Sequence, residues 1–149
     1  MKVVVEDYIH RVQYYETDGM RIAHHSNYIR WMEEARMDFL EQVGLAYDQL
    51  EERNLQFPVL SASCEYKQAV RFGDKVRIHL ELEWFTGLRY NVRYRITDSD
   101  QSILHAVGET THCFVDQNLK PVVVKRYAPD LYEFFCDNAP LRKPPRLHN

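Results

Sequence analysis

The sequence lacks the patterns that mark several large classes of protein. Its 149 residues contain no apolar stretch long enough to cross a bilayer, and the opening run Met1–Val5 is too short for a signal peptide. The three cysteines form no CxxC pair, which argues against a disulfide framework or a structural zinc site. Lysines and arginines form no dense cluster, and a net charge of −3 gives no basis for nucleic-acid binding. We therefore expect a cytoplasmic protein with no membrane span and no nucleic-acid partner.

Two catalytic patterns are missing as well. No Gly-x-Ser-x-Gly segment occurs, so the nucleophile elbow of a serine hydrolase is absent. The adjacent pair His24–His25 suggests a metal at first sight. Neighbouring side chains diverge at a helix start, however, and no third ligand follows at a recognisable spacing, so we expect no metal site.

The composition that remains is that of one globular domain. Apolar residues make up 45% of the chain and charged residues 28%, and the length suits a single domain. From Asp137 onwards the chain has three prolines and few apolar residues. We expect one domain over residues 1–136 and a flexible tail over 137–149.

The clearest helical pattern begins near Ser26. Apolar residues recur there at helical spacing and form a single stripe over about five turns. Ser26 is a suitable N-cap, and Gly44 stands where a left-handed residue ends many helices. The stripe consists of Tyr28, Trp31, Met32, Ala35, Phe39 and Val43.

Most of the remaining chain alternates with a period of two, which predicts strands. A helix with one apolar stripe must bury that stripe against another layer. We therefore predict an α+β fold in which a curved antiparallel sheet wraps around one long central helix, with sheet edges that favour oligomers. The predicted strands span 8–14, 60–66, 76–84, 90–97 and 103–115, and shorter helices span 47–54 and 129–135.

The residues around the start of the long helix have the chemistry needed to cleave an activated acyl group. Backbone N–H groups at a helix start polarise a carbonyl and stabilise an oxyanion. A carboxylate nearby, such as Asp18, activates water or attacks directly. The alternative is that Asp18 only caps the helix or closes a turn. Glu33, beside the apolar stripe, is equally consistent with a solvated position.

Several motifs over residues 8–125 resemble the 4-hydroxybenzoyl-CoA thioesterase family of hotdog proteins. Tyr-Glu-Thr-Asp-Gly-Met lies at 15–20 and His-His-Ser-Asn-Tyr at 24–28, and together they are fairly specific. Supporting positions are Trp31, Glu-Glu-Ala-Arg at 33–36, Phe-Pro-Val at 57–59, Tyr66 and Phe-Gly-Asp at 72–74.

The resemblance implies a hotdog fold and hydrolysis of an acyl-CoA thioester to free acid and coenzyme A. Asp18 would be the catalytic base or nucleophile, and the backbone N–H of His25 would polarise the thioester carbonyl. Coenzyme A would leave as product, so no cofactor is expected, and the active unit would be a homodimer or homotetramer. The positions implied to contact substrate are Tyr15, Arg21, Asn27, Tyr28 and Glu33, with Arg21 standing where many relatives have glycine.

Two alternative functions remain open at this point. A hotdog dehydratase acts on an acyl-CoA double bond and needs a histidine paired with the acid, which His24 or His25 would supply. A non-catalytic acyl-CoA binding module would need no acid, whereas Asp18 is present.

Overall fold

The computed structural model describes residues 1–142 and contains one five-stranded antiparallel sheet with four helices. Strand order across the sheet is β1-β3-β4-β5-β2. No helix in the described residues is long and apolar enough to cross a membrane. The elements are β1 Tyr8–Arg11, α1 Ser26–Gln42, α2 Tyr47–Glu52, β2 Val59–Tyr66, β3 Lys75–Phe85, β4 Arg89–Asp98, β5 Leu104–Cys113, α3 Val124–Tyr127 and α4 Pro129–Asn138.

Helix α1 packs across one face of the sheet, as the apolar stripe predicts. Trp31 and Met32 are fully buried against alternate residues of the central strands. A Cβ built on Gly108 of β5 would lie 2.0 Å from the Met32 Cε atom and 2.9 Å from the Ser63 carbonyl oxygen. Only glycine leaves room for this approach of helix to sheet. The antiparallel sheet packed around one long helix is the arrangement that was predicted, and the hotdog fold is confirmed.

The prediction for α1 is confirmed at its C-terminal end but is wrong about the N-cap residue. Gly44 has a φ of 78°, so the predicted left-handed residue after the helix is confirmed. Ser26 is the first helical residue rather than the N-cap, which is His25. The capping contacts come instead from His24, whose Nδ1 atom lies 2.8 Å from the Ser26 hydroxyl and 3.2 Å from the Ser26 backbone nitrogen.

The buried face of α1 is wider than the stripe predicted from spacing. Arg36 and Leu40 are buried, while Phe39 and Val43 are only half-buried. Arg36 is accommodated because its guanidinium donates to the Tyr94 hydroxyl at 3.3 Å. A buried charge of this kind needs a polar partner. The spacing of residues within one helix gives no information about a partner on a strand of the sheet.

Element ends differ from prediction at several loops. β1 stops at Arg11 rather than at residue 14, because the chain turns into a short 3-10 helix over Tyr14–Glu16. β5 spans Leu104–Cys113 and is shorter than the predicted 103–115. These differences place residues 12–25 in an irregular connection between β1 and α1.

The predicted domain end at residue 136 falls too early. Helix α4 continues to Asn138, and Ala139 is buried. Beyond it, the Pro140 carbonyl accepts the Phe85 N–H at 2.9 Å and the Arg142 N–H donates to the Phe85 carbonyl at 2.8 Å. These bonds join residues 140–142 to the end of β3, so this part of the expected tail is held to the sheet. The rest of that expected tail, 143–149, lies outside the described residues.

Candidate active site

Asp18 lies in a tight turn of the connection before α1. Its backbone N–H donates to the Ile22 carbonyl at 2.9 Å, and the Arg21 N–H donates back to the Asp18 carbonyl at 2.9 Å. One carboxylate oxygen of Asp18 accepts the Met20 N–H at 2.8 Å. These hydrogen bonds fix the position of the Asp18 carboxylate and engage only one of its two oxygens.

Glu16 anchors this connection from the interior of the protein. Its buried carboxylate accepts the Trp31 indole N–H at 2.6 Å and the Gln13 N–H at 2.8 Å, and lies 2.7 Å from His10 Nε2. Burial by itself raises the pKa of Glu16, but the hydrogen bonds from Gln13, His10 and Trp31 outweigh burial and hold the pKa below its ordinary value. Glu16 is therefore a fixed anion that ties the loop to α1.

Asn27 makes the second connection between the loop and α1. Its side-chain amide donates to the Glu16 carbonyl at 2.8 Å and to the His24 carbonyl at 3.3 Å. The His24 N–H also donates to the Glu16 carbonyl, at 2.8 Å. Asn27 was expected to contact substrate, but it is buried and its amide is engaged in holding the backbone around the helix start.

A pocket of about 300 Å³ opens beside this loop. It brings three of the predicted site residues together, namely Asp18, His25 and Tyr28. The end of β2 and the segment after it form the opposite wall. The remaining lining residues are Met20, Ile22, Ala23, Tyr66, Lys67, Gln68 and Ala69.

The backbone of His25 provides a hydrogen-bond donor at this pocket. Within the described residues 1–142, its N–H makes no hydrogen bond to the protein. Its carbonyl accepts the Tyr66 hydroxyl at 3.0 Å, which fixes the residue against β2. A free N–H at a helix start beside a carboxylate is an arrangement able to polarise a carbonyl while a base or nucleophile approaches it.

Tyr28 and Tyr66 form an aromatic wall of the pocket. Their rings meet edge to face, with centroids 4.8 Å apart, and Tyr28 also packs against Trp31 at 4.8 Å. Burial raises the pKa of Tyr28 to about 12, so its phenol is neutral at physiological pH. The sequence resemblance includes Tyr66 only as a supporting position and gives its side chain no role. Its contact with His25 spans 41 residues of sequence, and spacing does not reveal it.

Besides Asn27, three of the expected contact residues do not line this pocket. Tyr15 is 82% exposed on the 3-10 helix. Arg21 is exposed and stands in the sequence between two lining residues, but it does not line the pocket itself. Glu33 is exposed on α1, about 10 Å along the helix axis from its start, in an open depression with other acidic residues.

The described residues contain no group of three or more histidine, cysteine or acidic side chains placed to hold a metal ion. His24 and His25 stack with ring centroids 4.0 Å apart. Cys64, Cys113 and Cys136 are free and half-buried. The polar side chains that line the pocket are those of Asp18, His25, Tyr28, Tyr66, Lys67 and Gln68.

Comparison with known proteins identifies relatives of this fold and sequence. The thioesterase-like superfamily profile matches residues 12–144. A relative from Aquifex aeolicus (strain VF5), which carries a provisional esterase name, is 39% identical over 108 residues, covering 72% of this chain and 83% of the relative.

Solved structures give the same result. A hypothetical protein from Aquifex aeolicus is 37% identical with a TM-score of 0.79, over 86% of this chain and 97% of that one. The DHNA-CoA thioesterase from Staphylococcus aureus is 28% identical with a TM-score of 0.82, over 88% of each chain.

The fold and these relatives define the class of the protein, which is a hotdog-fold thioester hydrolase. More particularly, the chain belongs to the thioesterase-like superfamily, whose profile covers nearly the whole of it.

Proposed function

We propose that the chain hydrolyses an acyl-CoA thioester to a free acid and coenzyme A in the pocket that contains Asp18. The observation that supports this most strongly is that one pocket is lined by both Asp18 and His25, and that the His25 N–H has no hydrogen-bond partner within residues 1–142. The Staphylococcus aureus relative, named a DHNA-CoA thioesterase, supports an acyl-CoA substrate.

The proposed reaction uses the two groups in complementary roles. The His25 N–H donates a hydrogen bond to the thioester oxygen and stabilises the negative charge that develops on it. Asp18 removes a proton from water as the water oxygen adds to the carbonyl carbon, or its carboxylate attacks that carbon itself. The carbon–sulfur bond then breaks, and coenzyme A leaves as a thiolate that takes up a proton. In the nucleophilic route this step leaves a mixed anhydride on Asp18, which water hydrolyses to the free acid, restoring the carboxylate. In the base mechanism the carboxylate contributes about 10²- to 10⁴-fold to the rate.

Coenzyme A is part of the substrate in this proposal, so the chemistry requires no further cofactor and no metal. We expect turnover to survive dialysis against a strong chelator. We also propose that the protein acts in the cytoplasm, because its three cysteines are free thiols and reducing conditions preserve them.

The active unit is proposed to be a homodimer or a homotetramer. Strand β2 is the last strand of the sheet, and in residues 1–142 no strand pairs with its outer edge. Val59 and Leu60 on it are nearly half exposed, and Tyr66 at its end lines the pocket. A long open edge of this kind favours pairing between copies. Light scattering should show a dimer or larger species, and a monomer at micromolar concentration would contradict the proposal.

A thiol-release assay tests the function directly. Purified protein is mixed with a panel of short-chain, long-chain and aromatic acyl-CoA esters, and the free thiol is detected with a chromogenic disulfide. We expect thiol and free acid in equal amounts from at least one ester. A dehydratase would change the absorbance of an enoyl-CoA without releasing thiol, and a binding module would bind the ester without changing it. Either result would replace the proposal.

A further inference from the structure

We propose that the pocket rim formed by Tyr14, Arg21, Arg71 and Phe72 binds the nucleotide end of coenzyme A. The two guanidinium groups would contact its phosphates, and the two rings would stack with its adenine. This inference rests on the proposed function, since it assigns a site to the part of the substrate that does not react.

The fold brings two separate loops together at this rim. Ile22 and Arg71 form an antiparallel bridge, and the Ala23 N–H donates to the Val70 carbonyl at 2.7 Å. Paired residues in an antiparallel bridge project to the same side. Because Ile22 lines the pocket, the Arg71 side chain leaves the backbone on the pocket side. Arg21 lies directly between Met20 and Ile22, both of which line the pocket.

The charges of Arg21 and Arg71 are not neutralised by the protein. In the described part of the chain neither guanidinium forms a salt bridge, although Lys67 nearby is paired with Glu65 at 3.0 Å. Both backbones are nevertheless held. The Arg71 N–H donates to the Asp74 carboxylate at 2.9 Å, and Arg21 closes the Asp18 turn. Two guanidinium groups on anchored backbones, with no salt bridge in residues 1–142, suit bidentate contact with phosphate oxygens.

An exposed pair of rings lies next to Arg71, which directly precedes Phe72 in the chain. Tyr14 and Phe72 meet edge to face, with centroids 5.9 Å apart, yet they remain 77% and 59% exposed. Large rings left open to water beside a binding pocket are candidates for contact with a ligand. A nucleobase presents a π face to such rings, and the neighbouring cations complement its phosphates.

A second open surface, on α1 itself, has the wrong charge for a polyanion. The depression around Tyr8 contains four carboxylates and a single arginine. Its acidic members are Glu33, Glu34, Asp38 and Glu41. The outer face of the sheet has both signs intermixed, with Glu81 and Glu83 beside Arg93 and Arg95. Charge complementarity therefore favours the rim at Arg21 and Arg71 for the phosphates.

Substrate truncation separates the rim from the reacting centre. One acyl group is supplied as the coenzyme A thioester, as the 4′-phosphopantetheine thioester and as the pantetheine thioester. The double variant Arg21→Ala/Arg71→Ala is compared with Arg126→Ala, an exposed arginine on α3. We expect the double variant to raise KM for acyl-CoA about tenfold at nearly constant kcat, with KM for the pantetheine thioester unchanged. Arg126→Ala should change neither.

The rings are tested by Phe72→Leu. This change should raise KM for acyl-CoA severalfold and leave the phosphopantetheine thioester unaffected, because only coenzyme A contains adenine. A double lysine variant, Arg21→Lys/Arg71→Lys, should restore part of the affinity if charge is what matters. A melting curve for each variant is the control that it is folded.

Two results would overturn the rim assignment. One is an unchanged KM for acyl-CoA in the double alanine variant, and the other is an equal rise in KM for all three thioesters. If the wild type still cleaves the pantetheine thioester in an Asp18-dependent way, the proposed function stands even though the rim is wrong. The affinities of the wild type and the double alanine variant for free coenzyme A, measured by calorimetry, test the same assignment without turnover. Equal affinity of the wild type and the double variant would also overturn the assignment.

Discussion

The turns at 18–22 and 116–120 have nearly the same backbone but different surroundings. In each, the N–H of the first residue donates to the carbonyl of the fifth at 2.9 Å. The side chains of Asp18 and Asp116 each accept the N–H two residues further on, at 2.8 Å. The fourth residue is left-handed in both, with φ of 62° at Arg21 and 61° at Leu119.

The surroundings distinguish the two aspartates. Asp18 shares a pocket with the free N–H of His25 and with two tyrosines. The Asp116 carboxylate instead accepts a second backbone N–H, from Lys120 at 3.1 Å. Being a good turn residue therefore does not exclude a catalytic role, because one side chain can do both. What makes Asp18 a candidate is the pocket, not the turn.

Among the changes that leave Asp18 itself intact, the largest effect is expected from Glu16→Gln. Gln13 and Trp31 donate to different carboxylate oxygens, so either orientation of an amide sets its NH₂ group against one of those N–H groups. We expect unfolding free energy to fall by about 1–3 kcal/mol. We also expect kcat to fall at least about tenfold, because small displacements of catalytic groups are costly. Denaturant melts and steady-state kinetics measure the two effects.

The pH dependence of the same variant gives a second test. The folded-state pKa of Glu16 is lowered, so its contribution to stability is present above the unfolded pKa of about 4.3. That contribution is lost as the pH falls through the folded-state value. The stability gap between wild type and Glu16→Gln should therefore shrink in acid. Glu109→Gln, an exposed change on β5, is the control, and similar losses in the two variants would refute the anchoring role.

A smaller effect is expected from Tyr66→Phe, which removes the hydroxyl bonded to the His25 carbonyl. One hydrogen bond contributes about 0.5–1.5 kcal/mol, so kcat should fall roughly two- to tenfold with little change in KM. Tyr127→Phe is a close control, because the Tyr127 hydroxyl also donates to backbone carbonyls, at 2.9 and 3.2 Å, on an exposed surface. Equal kcat values for the two variants would show that Tyr66 does not position His25.

The smallest effect is expected from glycine at the two left-handed positions. Arg21→Gly and Leu119→Gly each relieve about 1 kcal/mol of backbone strain and add a similar entropy to the unfolded chain. Both variants should therefore stay within about 1 kcal/mol of wild type in thermal melts. If the stability changes differ widely, the two turns are not the matched pair described above.

The sequence alone predicts the main strands, the long helix and the way in which they form layers. Regular alternation in β3 and the apolar stripe of α1 each arise from neighbours in one element, and the layers follow from burying those faces. Asp18 and His25 were also found, through motifs shared with a family. Whether they act in catalysis remains a prediction.

The features that were missed depend on contacts between distant parts of the chain. Glu16 bonds to Trp31 across 15 residues, and Arg36 reaches Tyr94 across 58. Local spacing treats both as ordinary charged residues, because it says nothing about a partner on another element. The resemblance implies that Asn27 contacts substrate, which stays a prediction, and it gives no sign that the Asn27 amide also holds the loop backbone.

The most direct measurement compares Asp18→Asn with Asp116→Asn in the thiol-release assay. Asparagine keeps the size of the side chain and its turn hydrogen bond but lacks the basic, nucleophilic carboxylate. Both variants should fold and bind acyl-CoA. The account predicts a loss in kcat of at least about 10²-fold for Asp18→Asn and no significant change for Asp116→Asn. A folded Asp18→Asn protein that hydrolyses acyl-CoA near the wild-type rate would contradict it.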